Sequence, residues 1–294
     1  MNTREIQLHR AYLLHSRPFR DSSLLVNLLS EEHGHVSAIV YVGKSKKSNK
    51  KGLLQPFACL QIELKGQGDL KTLSRLEHAE KSIELTSHHL YSGFYLNELM
   101  VRLLPENIPC PTLFGLYQAC LTRLFEQHAI EPLLREFELT LLNELGMSLD
   151  FDTIAESAIQ AAATKAEQAA TVLNDHQQHQ YQQRQQEQKQ QQVRESAAYN
   201  EYNQDVPYQQ EHHSQTNIDN DDWYFIPEQG FVKADILLNY PRYNQQHLLA
   251  IGDGKFSDAK VLLTCKQLMR QVLALYLGNK PLNSRKLFLN RLAK

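Results

Sequence analysis

The first residues that suggest a chemistry are five lysines between Val42 and Gly52, in a segment that contains no acidic residue. Short basic runs are typical of segments that bind nucleic acid or another polyanion, although they also occur as solvated loops. Apolar runs precede and follow the segment, which therefore predicts a loop on a small β-domain. A mobile cationic loop suits a phosphate backbone because it needs no fixed register. The lysines are Lys44, Lys46, Lys47, Lys50 and Lys51.

Other reactive patterns are absent from the sequence. It contains no nucleophile–base pattern, no paired carboxylates and no GxxxxGK[ST] phosphate loop, and we interpret Gly252–Gly254 as a turn. The cysteines are far apart and form no CxxC pair, so neither a zinc site nor a thiol redox site is predicted. We therefore expect a protein that is not an enzyme and that uses no metal or cofactor. The four cysteines are Cys59, Cys110, Cys120 and Cys265.

Charge is distributed along the chain in three blocks. Residues 1–81 hold 13 basic and 8 acidic side chains, residues 223–294 hold 11 and 4, and residues 82–222 hold 7 and 21. The formal net charge of -2 therefore hides two basic ends. Charge asymmetry of this kind predicts a polyanionic partner that contacts the ends of the chain.

The sequence also indicates where the protein works. It has no apolar span of 18 residues and no N-terminal apolar leader, so neither membrane insertion nor secretion is predicted. Unpaired cysteines favour a reduced compartment. We expect a cytoplasmic protein that is associated with the nucleoid if its polyanion is DNA.

Short strands are predicted from Arg10 to Lys81 by apolar and alternating runs. Turns are expected at Glu31–Gly34 and Gly66–Asp69, where glycine supplies a positive φ. Five strands in about seventy residues indicate a small closed barrel, either an OB-fold, which binds oligonucleotides, or an SH3-like barrel. The predicted strands are Ala11–His15, Leu24–Ser30, Val36–Val42, Phe57–Leu64 and Leu70–Leu76.

The apolar period changes to that of helices over residues 82–151. Pro105 ends the first predicted helix, Pro111 begins the second, and Glu131–Pro132 begins a third that Gly146 caps. Residues 223–294 predict a hairpin, a long helix capped at Ser257–Asp258 and a last helix from Ser284. The fold class is thus α+β, an N-terminal barrel followed by a helical domain that the C-terminal segment completes.

Residues 152–222 form a polar insertion between the two helical parts. The Ala-rich start favours a helix, whereas eleven of the sixteen residues from Gln177 to Gln192 are glutamine. Such low-complexity sequence buries too little apolar surface to offset its chain entropy, so the Gln tract and the residues after it are predicted to be disordered.

Several blocks resemble the RecO family of DNA repair proteins, in the same order along the chain. The resemblance covers roughly residues 9–150 and 223–290. Seven short blocks in order make it specific. The blocks are His15–Phe19, Ser45–Ser48, Lys51–Phe57, Gly68–Leu73, Leu90–Leu99, Arg135–Leu139 and Tyr276–Arg285.

The resemblance implies an N-terminal OB-fold and a recombination mediator in the RecF pathway. Such a protein binds single- and double-stranded DNA, anneals complementary strands, engages the C-terminal tail of single-strand-binding protein (SSB) and acts with RecR to help RecA load. Many members of the family carry a four-cysteine zinc finger between the helical segments. In this sequence the Gln-rich insertion occupies that position, so the role of the finger does not transfer.

Basic residues of the barrel are the candidates for phosphate contacts, because cations screen the repulsion between two strands and leave the bases free to pair. Phe19 could stack on a base or be buried. The candidates are Arg17, Arg20, Lys44, Lys46, Lys47, Lys50, Lys51, Lys71 and Arg75.

A partner site is predicted on the third helix, where Arg135 lies among Leu134 and Phe137. The family resemblance implies that a short acidic and apolar tail of SSB docks there. The alternative is that Arg135 pairs with Glu131 or Glu138 at helical spacing.

Two other classes of function are alternatives to the mediator, a simple nucleic-acid-binding module and an enzyme that acts on nucleic acid. Another OB-fold module for single-stranded nucleic acid or RNA would not need the helical blocks at Leu90–Leu99 and Tyr276–Arg285. A nucleic-acid enzyme would need clustered acids for metal, and the basic ends have no DxD or DxE pair.

Overall fold

The computed structural model describes residues 8–43, 50–80, 83–173, 222–235, 238–278 and 280–289. Three lysines of the basic run, Lys44, Lys46 and Lys47, lie outside these residues, as does the Gln tract. Within the described residues, no helix combines the length and the apolar character that a membrane crossing requires.

The N-terminal part is a closed five-stranded barrel with the strand order β1-β2-β3-β5-β4. All neighbouring strands are antiparallel except β3 and β5, which are parallel. This order confirms the OB-fold prediction. The barrel elements are β1 (His9–Phe19), β2 (Ser23–Ser30), β3 (Gly34–Tyr41), the single turn α1 (Lys50–Leu53), β4 (Cys59–Lys65) and β5 (Leu70–His78).

Strand β1 contains a β-bulge at Leu14, because Leu13 pairs with Leu28 whereas His15 pairs with Asn27. An extra residue reverses the side-chain alternation of a strand. Before the bulge, Ala11 and Leu13 face the barrel interior. Beyond it Ser16 pairs with Val26, a residue of the barrel core, so the odd-numbered residues His15 and Arg17 lie on the outer face.

The bulge also joins the barrel to the helices. Leu14 and Tyr12 pack into the large core of the helical domain rather than into the barrel. The Leu14 carbonyl accepts a hydrogen bond of 3.0 Å from Asn97 Nδ2. The Tyr117 hydroxyl donates to Asn97 Oδ1 at 2.5 Å. The buried Asn97 amide thus provides a hydrogen-bond partner for the strand backbone at the bulge and for a tyrosine of the helices.

Three helices follow the barrel as predicted: α2 (Ser87–Leu103), α3 (Pro111–Phe125) and α4 (Ile130–Glu144). At the end of α4, Gly146 adopts a φ of 69° and its N–H donates to Asn143, while the Met147 N–H donates to Leu142. This is the Schellman pattern of a glycine-terminated helix.

The helix predicted for the Ala-rich start of the insertion is present, and its first turn lies in the core, which the sequence did not predict. Residues 152–173 form a helix, α5, and Ile154 has no exposed surface within the main core. Helix α5 therefore begins inside the folded domain. Its later residues leave the core, as the 70% exposure of Ile159 shows.

The C-terminal part completes the helical domain. Strands β6 (Asp222–Ile226), β7 (Gly230–Lys233) and β8 (Arg242–Asn244) form a small sheet in the order β7-β6-β8. Helices α6 (Gln245–Gly252), α7 (Ala259–Leu277) and α8 (Asn283–Leu289) follow. The hairpin and the last two helices confirm the prediction, whereas β8 and α6 were missed.

Helix α8 is attached to α2 through its first residues. The Glu98 carboxylate accepts hydrogen bonds of 2.8 Å from the backbone N–H groups of Asn283 and Ser284. It also accepts one of 2.7 Å from the Ser284 hydroxyl. Carboxylates are favourable at a helix N-terminus, so a residue of α2 holds the last helix in place.

We predict that Ile154→Ala lowers the free energy of unfolding by about 2–5 kcal/mol, because it leaves a cavity in the core. The matched change Ile159→Ala, on the exposed part of the same helix, should alter it by less than about 0.5 kcal/mol. Chemical denaturation of the full chain measures both. Equal effects of the two substitutions would place the first turn of α5 outside the core.

Candidate nucleic-acid surface and peptide pocket

The outer surface of the barrel carries a row of side chains that the strand register brings together. Arg17 lies opposite Leu25, Leu25 opposite Ile39, and Ile39 opposite Thr72. Directly opposed residues share a face of the sheet. On the opposite face of the sheet, Val26 of β2 and Ala38 and Val40 of β3 have no exposed surface, so they face the barrel interior. The row therefore lies on the outer, solvent-facing side. Arg17 is exposed at the end of the row.

A second outward row lies beside the first, nearer the basic loop. Phe19, Ser23 and Tyr41 are paired across β1, β2 and β3. Tyr41 is 64% exposed, a large fraction for an aromatic side chain. The Arg20 guanidinium lies over the Phe19 ring, 5.3 Å from its centroid. Phe19 is thus half-buried and lies under a cation. The sequence left open whether Phe19 is buried or available to stack on a base, and its exposure is intermediate between the two.

We call Arg17, Phe19, Arg20 and Tyr41 the barrel face. Cations beside exposed aromatic rings suit single-stranded nucleic acid, because phosphates are neutralised and bases stack. OB-folds bind oligonucleotides on the β2–β3 side, where Tyr41 lies. Tyr41 was not among the residues predicted from the sequence, because it ends a run of apolar residues.

The described end of the basic loop lies beside β5. Lys50 and Lys51 belong to α1, and the Lys50 Nζ donates to the Ser74 carbonyl at 3.5 Å. Lys51 is exposed. Among the described residues, Arg17, Arg20 and Lys51 form no ion pair, so their charges remain available to an anion.

The two candidates on β5 lie elsewhere. Lys71 is opposite Ala38, which faces the barrel interior, so Lys71 is not part of the barrel face. Arg75 is opposite Glu63. A hydrogen bond from Ser74 and the charges of Lys65 and Arg75 lower the pKa of Glu63. This carboxylate offsets part of the positive charge on β5.

A second candidate site is a cavity of about 480 Å³ between α2, α4, α7 and α8, which we call the peptide pocket. Its lining combines apolar side chains with several cations. The lining residues are His88, Tyr95, Ile130, Glu131, Leu134, Arg135, Glu138, Lys266, Met269, Arg270 and Arg285.

Arg135 forms part of the pocket wall and is itself only 7% exposed. Its Nη1 lies 2.8 Å from Glu138 Oε2, and the Tyr95 hydroxyl donates to Glu138 Oε1 at 2.5 Å. Burial raises the pKa of Glu138, while Arg135 and the Tyr95 hydrogen bond oppose that shift. The predicted alternative, an Arg135–Glu138 pair, is therefore present, and it coexists with a place in the pocket.

Arg135 still has an unsatisfied donor, since its buried Nε has no hydrogen-bond partner among the described residues. The other pocket acid, Glu131, is paired with Lys266 at 2.8 Å. Arg270 and Arg285 are exposed and form no ion pair with any described residue. The pocket therefore offers an apolar floor and spare positive charge, which suits a short peptide with apolar and acidic groups.

Phe137 was predicted as a partner contact, and this prediction is wrong. Its side chain has no exposed surface and packs near Tyr117, with ring centroids 6.4 Å apart. Leu134, three residues earlier on α4, lines the pocket instead. Arg270 and Arg285 were missed because they lie far from Arg135 in sequence.

Comparison with known proteins finds two matching family models. The model "Recombination protein O N terminal" matches residues 4–81, and "Recombination protein O C terminal" matches residues 86–173. A protein of Cellvibrio japonicus named DNA repair protein RecO is 34% identical over 288 residues, covering 96% of this chain and 97% of its own. Relatives of that name from Actinobacillus pleuropneumoniae and Aliivibrio fischeri are each 32% identical, covering 95% and 97% of this chain.

We predict that Tyr41→Ala weakens binding to a single-stranded oligonucleotide by about 1–3 kcal/mol, the usual value of one base–aromatic stack. Because Tyr41 is largely exposed, the thermal unfolding midpoint should stay the same. Tyr240→Ala, at a 40% exposed tyrosine outside the barrel, is the control. Fluorescence anisotropy measures the affinities, and equal affinities for both variants would remove Tyr41 from the binding surface.

Proposed function

This chain belongs to the RecO family of DNA repair proteins, and from that premise we propose that it is a recombination mediator. It binds single- and double-stranded DNA through its barrel and anneals complementary strands. It docks the C-terminal tail of SSB in its helical domain and, with RecR, helps RecA to load. The RecR and RecA steps rest on the family alone, as does a cytoplasmic, nucleoid-associated location.

The observation that carries the DNA-binding part is the barrel face. Arg17 and Arg20 are exposed cations without acidic partners among the described residues. Arg20 lies over Phe19, which shares a row of the outer surface with the exposed Tyr41. Lys50 and Lys51, the last two lysines of the basic run, begin α1. Phosphate contacts supply affinity without reading sequence, which an annealing protein requires because it must accept any strand.

Annealing of this kind needs no covalent chemistry. Two strands repel each other through their phosphates, and a cationic surface reduces that repulsion. We therefore propose that the protein acts without catalysing a reaction and without a cofactor in this role.

The peptide pocket supports docking of the SSB tail. The family expectation is a short tail that carries acidic and apolar residues. Leu134 and Met269 are apolar contacts for the tail, and Arg270 and Arg285 are cations for its carboxylates. Arg135 acts from within the wall, where its pairing with Glu138 fixes the guanidinium.

The deciding experiment for the whole proposal is annealing of complementary strands that are pre-coated with SSB, with ATP withheld. We expect the protein to accelerate annealing of coated strands well above the rate without it. An unchanged rate would contradict the mediator and favour a simple OB-fold binding module.

We predict that replacing Lys44, Lys46, Lys47, Lys50 and Lys51 with Ala weakens DNA binding for every sequence. The slope of log K against log salt should become shallower by about 0.7 to 0.9 for each phosphate that the loop no longer neutralises. Lys233→Ala combined with Lys260→Ala removes lysines outside the barrel and serves as the control. A salt slope equal to that of the unmodified protein would exclude the loop as the DNA-binding element.

We predict that Arg270→Glu weakens binding of the isolated SSB tail peptide by about tenfold or more, because a hydrogen bond to a charged group is worth roughly 1.5–3 kcal/mol. Arg135→Glu is a poorer test, since it would place a second carboxylate against buried Glu138. Lys260→Glu makes the same charge change on the same helix outside the pocket. Binding to bare DNA should persist, and tail binding equal to that of Lys260→Glu would place the docking site elsewhere.

A further inference from the structure

Two histidines and a glutamate meet at the end of the barrel where β1 begins. His9 is the first residue of β1, and Glu32 and His33 lie in the turn between β2 and β3. One potential ligand atom from each lies within 4.8 Å of the other two. The rings of His9 and His33 are edge to face, with centroids 4.7 Å apart.

His9 is a buried side chain with an unsatisfied nitrogen. It is 7% exposed, and its Nδ1 has no hydrogen-bond partner among the described residues. Glu32 Oε2 lies only 2.7 Å from that nitrogen. The carboxylate oxygen is therefore close to Nδ1 but poorly aligned with the ring, and the in-plane direction of the nitrogen is left without a partner.

The fold holds these three residues together. The Glu31 N–H donates to the Arg10 carbonyl at 3.0 Å, which ties the turn to β1. Gly34 ends the turn with a φ of 67°, and a Cβ there would lie 1.8 Å from the Ile108 carbonyl oxygen. The turn thus packs closely against the segment between α2 and α3, and this packing holds Glu32 and His33 beside His9.

The donor set of the cluster suits a metal ion. Each histidine can offer a ring nitrogen lone pair, and Glu32 can offer a carboxylate oxygen. The Glu32 carboxylate also supplies a negative charge that offsets part of the charge of a bound cation.

We propose that His9, Glu32 and His33 bind a divalent transition-metal ion, with zinc as the best fit. Imidazole suits zinc, whereas magnesium and calcium prefer oxygen ligands. Zinc bound at about 2.0–2.2 Å in a tetrahedron places its ligand atoms about 3.3 Å apart. To reach this spacing, the 2.7 Å distance between His9 and Glu32 must lengthen slightly, and the widest distance in the cluster, at most 4.8 Å, must shorten. Side-chain rotations can supply both changes. The fourth position faces solvent and takes a water.

This metal joins the start of β1 to the β2–β3 turn. Strand β3 has eight residues from Gly34 to Tyr41, so the site lies roughly 23 Å along that strand from the barrel face. It is therefore a site distinct from the surface proposed for DNA and from the peptide pocket. It also differs from the family's cysteine finger in ligands and position. The spacing of the cysteines in the sequence predicted no metal, because the ligands of this cluster are histidines and a glutamate.

The test is zinc binding to the full chain after chelator treatment, followed by calorimetry and by cobalt(II) absorption. We expect one ion bound at a site whose affinity falls at least about 100-fold in His33→Ala and in Glu32→Gln, since loss of supporting partners alone costs roughly 10–100-fold. Zinc should also raise the thermal unfolding midpoint of the unmodified protein more than that of either variant.

Control variants are available at a second exposed turn. His128 Nε2 lies 3.2 Å from Glu126 Oε2, and this pair belongs to no three-ligand cluster among the described residues. His128→Ala and Glu126→Gln should therefore bind zinc as the unmodified chain does. The other histidines of the chain are retained in every variant, and a difference between variants therefore reports this cluster. Zinc affinity and thermal shift unchanged in both His33→Ala and Glu32→Gln would overturn the proposal.

Discussion

The nucleic-acid surface and its attachment to the helical domain depend on one extra residue in the first strand. Without the bulge at Leu14, strand alternation would continue unbroken, and Arg17 would face the barrel interior with Ala11 and Leu13. The bulge reverses the alternation, which places Phe19 on the outer face and exposes Arg17 there. Its carbonyl then needs a partner outside the strand ladder, and the buried Asn97 amide supplies it. The same residue that builds the nucleic-acid surface therefore fastens the barrel to the helices.

In the peptide pocket, a buried ion pair positions a functional side chain, as the bulge does on the barrel. Removing Arg135 and Glu138 from water costs several kcal/mol for each ion, and such pairs often contribute little net stability. What the pair provides is a guanidinium in a defined position, held by Glu138 and, through it, by Tyr95. The pocket thus combines a fixed buried cation with two exposed cations, Arg270 and Arg285.

The strands and long helices could be predicted because alternation, helical spacing and turn residues agree locally. Helix α6 was missed although Asn244 caps it by accepting from Gln246 and His247, a signal that the sequence contains. Other features have no local signal. Phe137 and Leu134 are both apolar residues on α4, and only packing decides which is buried. The bulge that exposes Arg17 depends on pairing with β2, and the pocket cations come from helices more than a hundred residues after α4.

The attachment of α8 to Glu98 has a consequence for synthesis of the protein on the ribosome. Glu98 and Ser284 are separated by 186 residues along the chain. At roughly 5–20 residues per second, α2 emerges on the order of ten to forty seconds before α8 exists. During that interval the apolar faces of α2 and α4 that α7 and α8 later cover are open to water. The nascent chain therefore exposes an apolar surface for a time set by the speed of translation through these 186 residues, and the insertion at 152–222 lengthens that time.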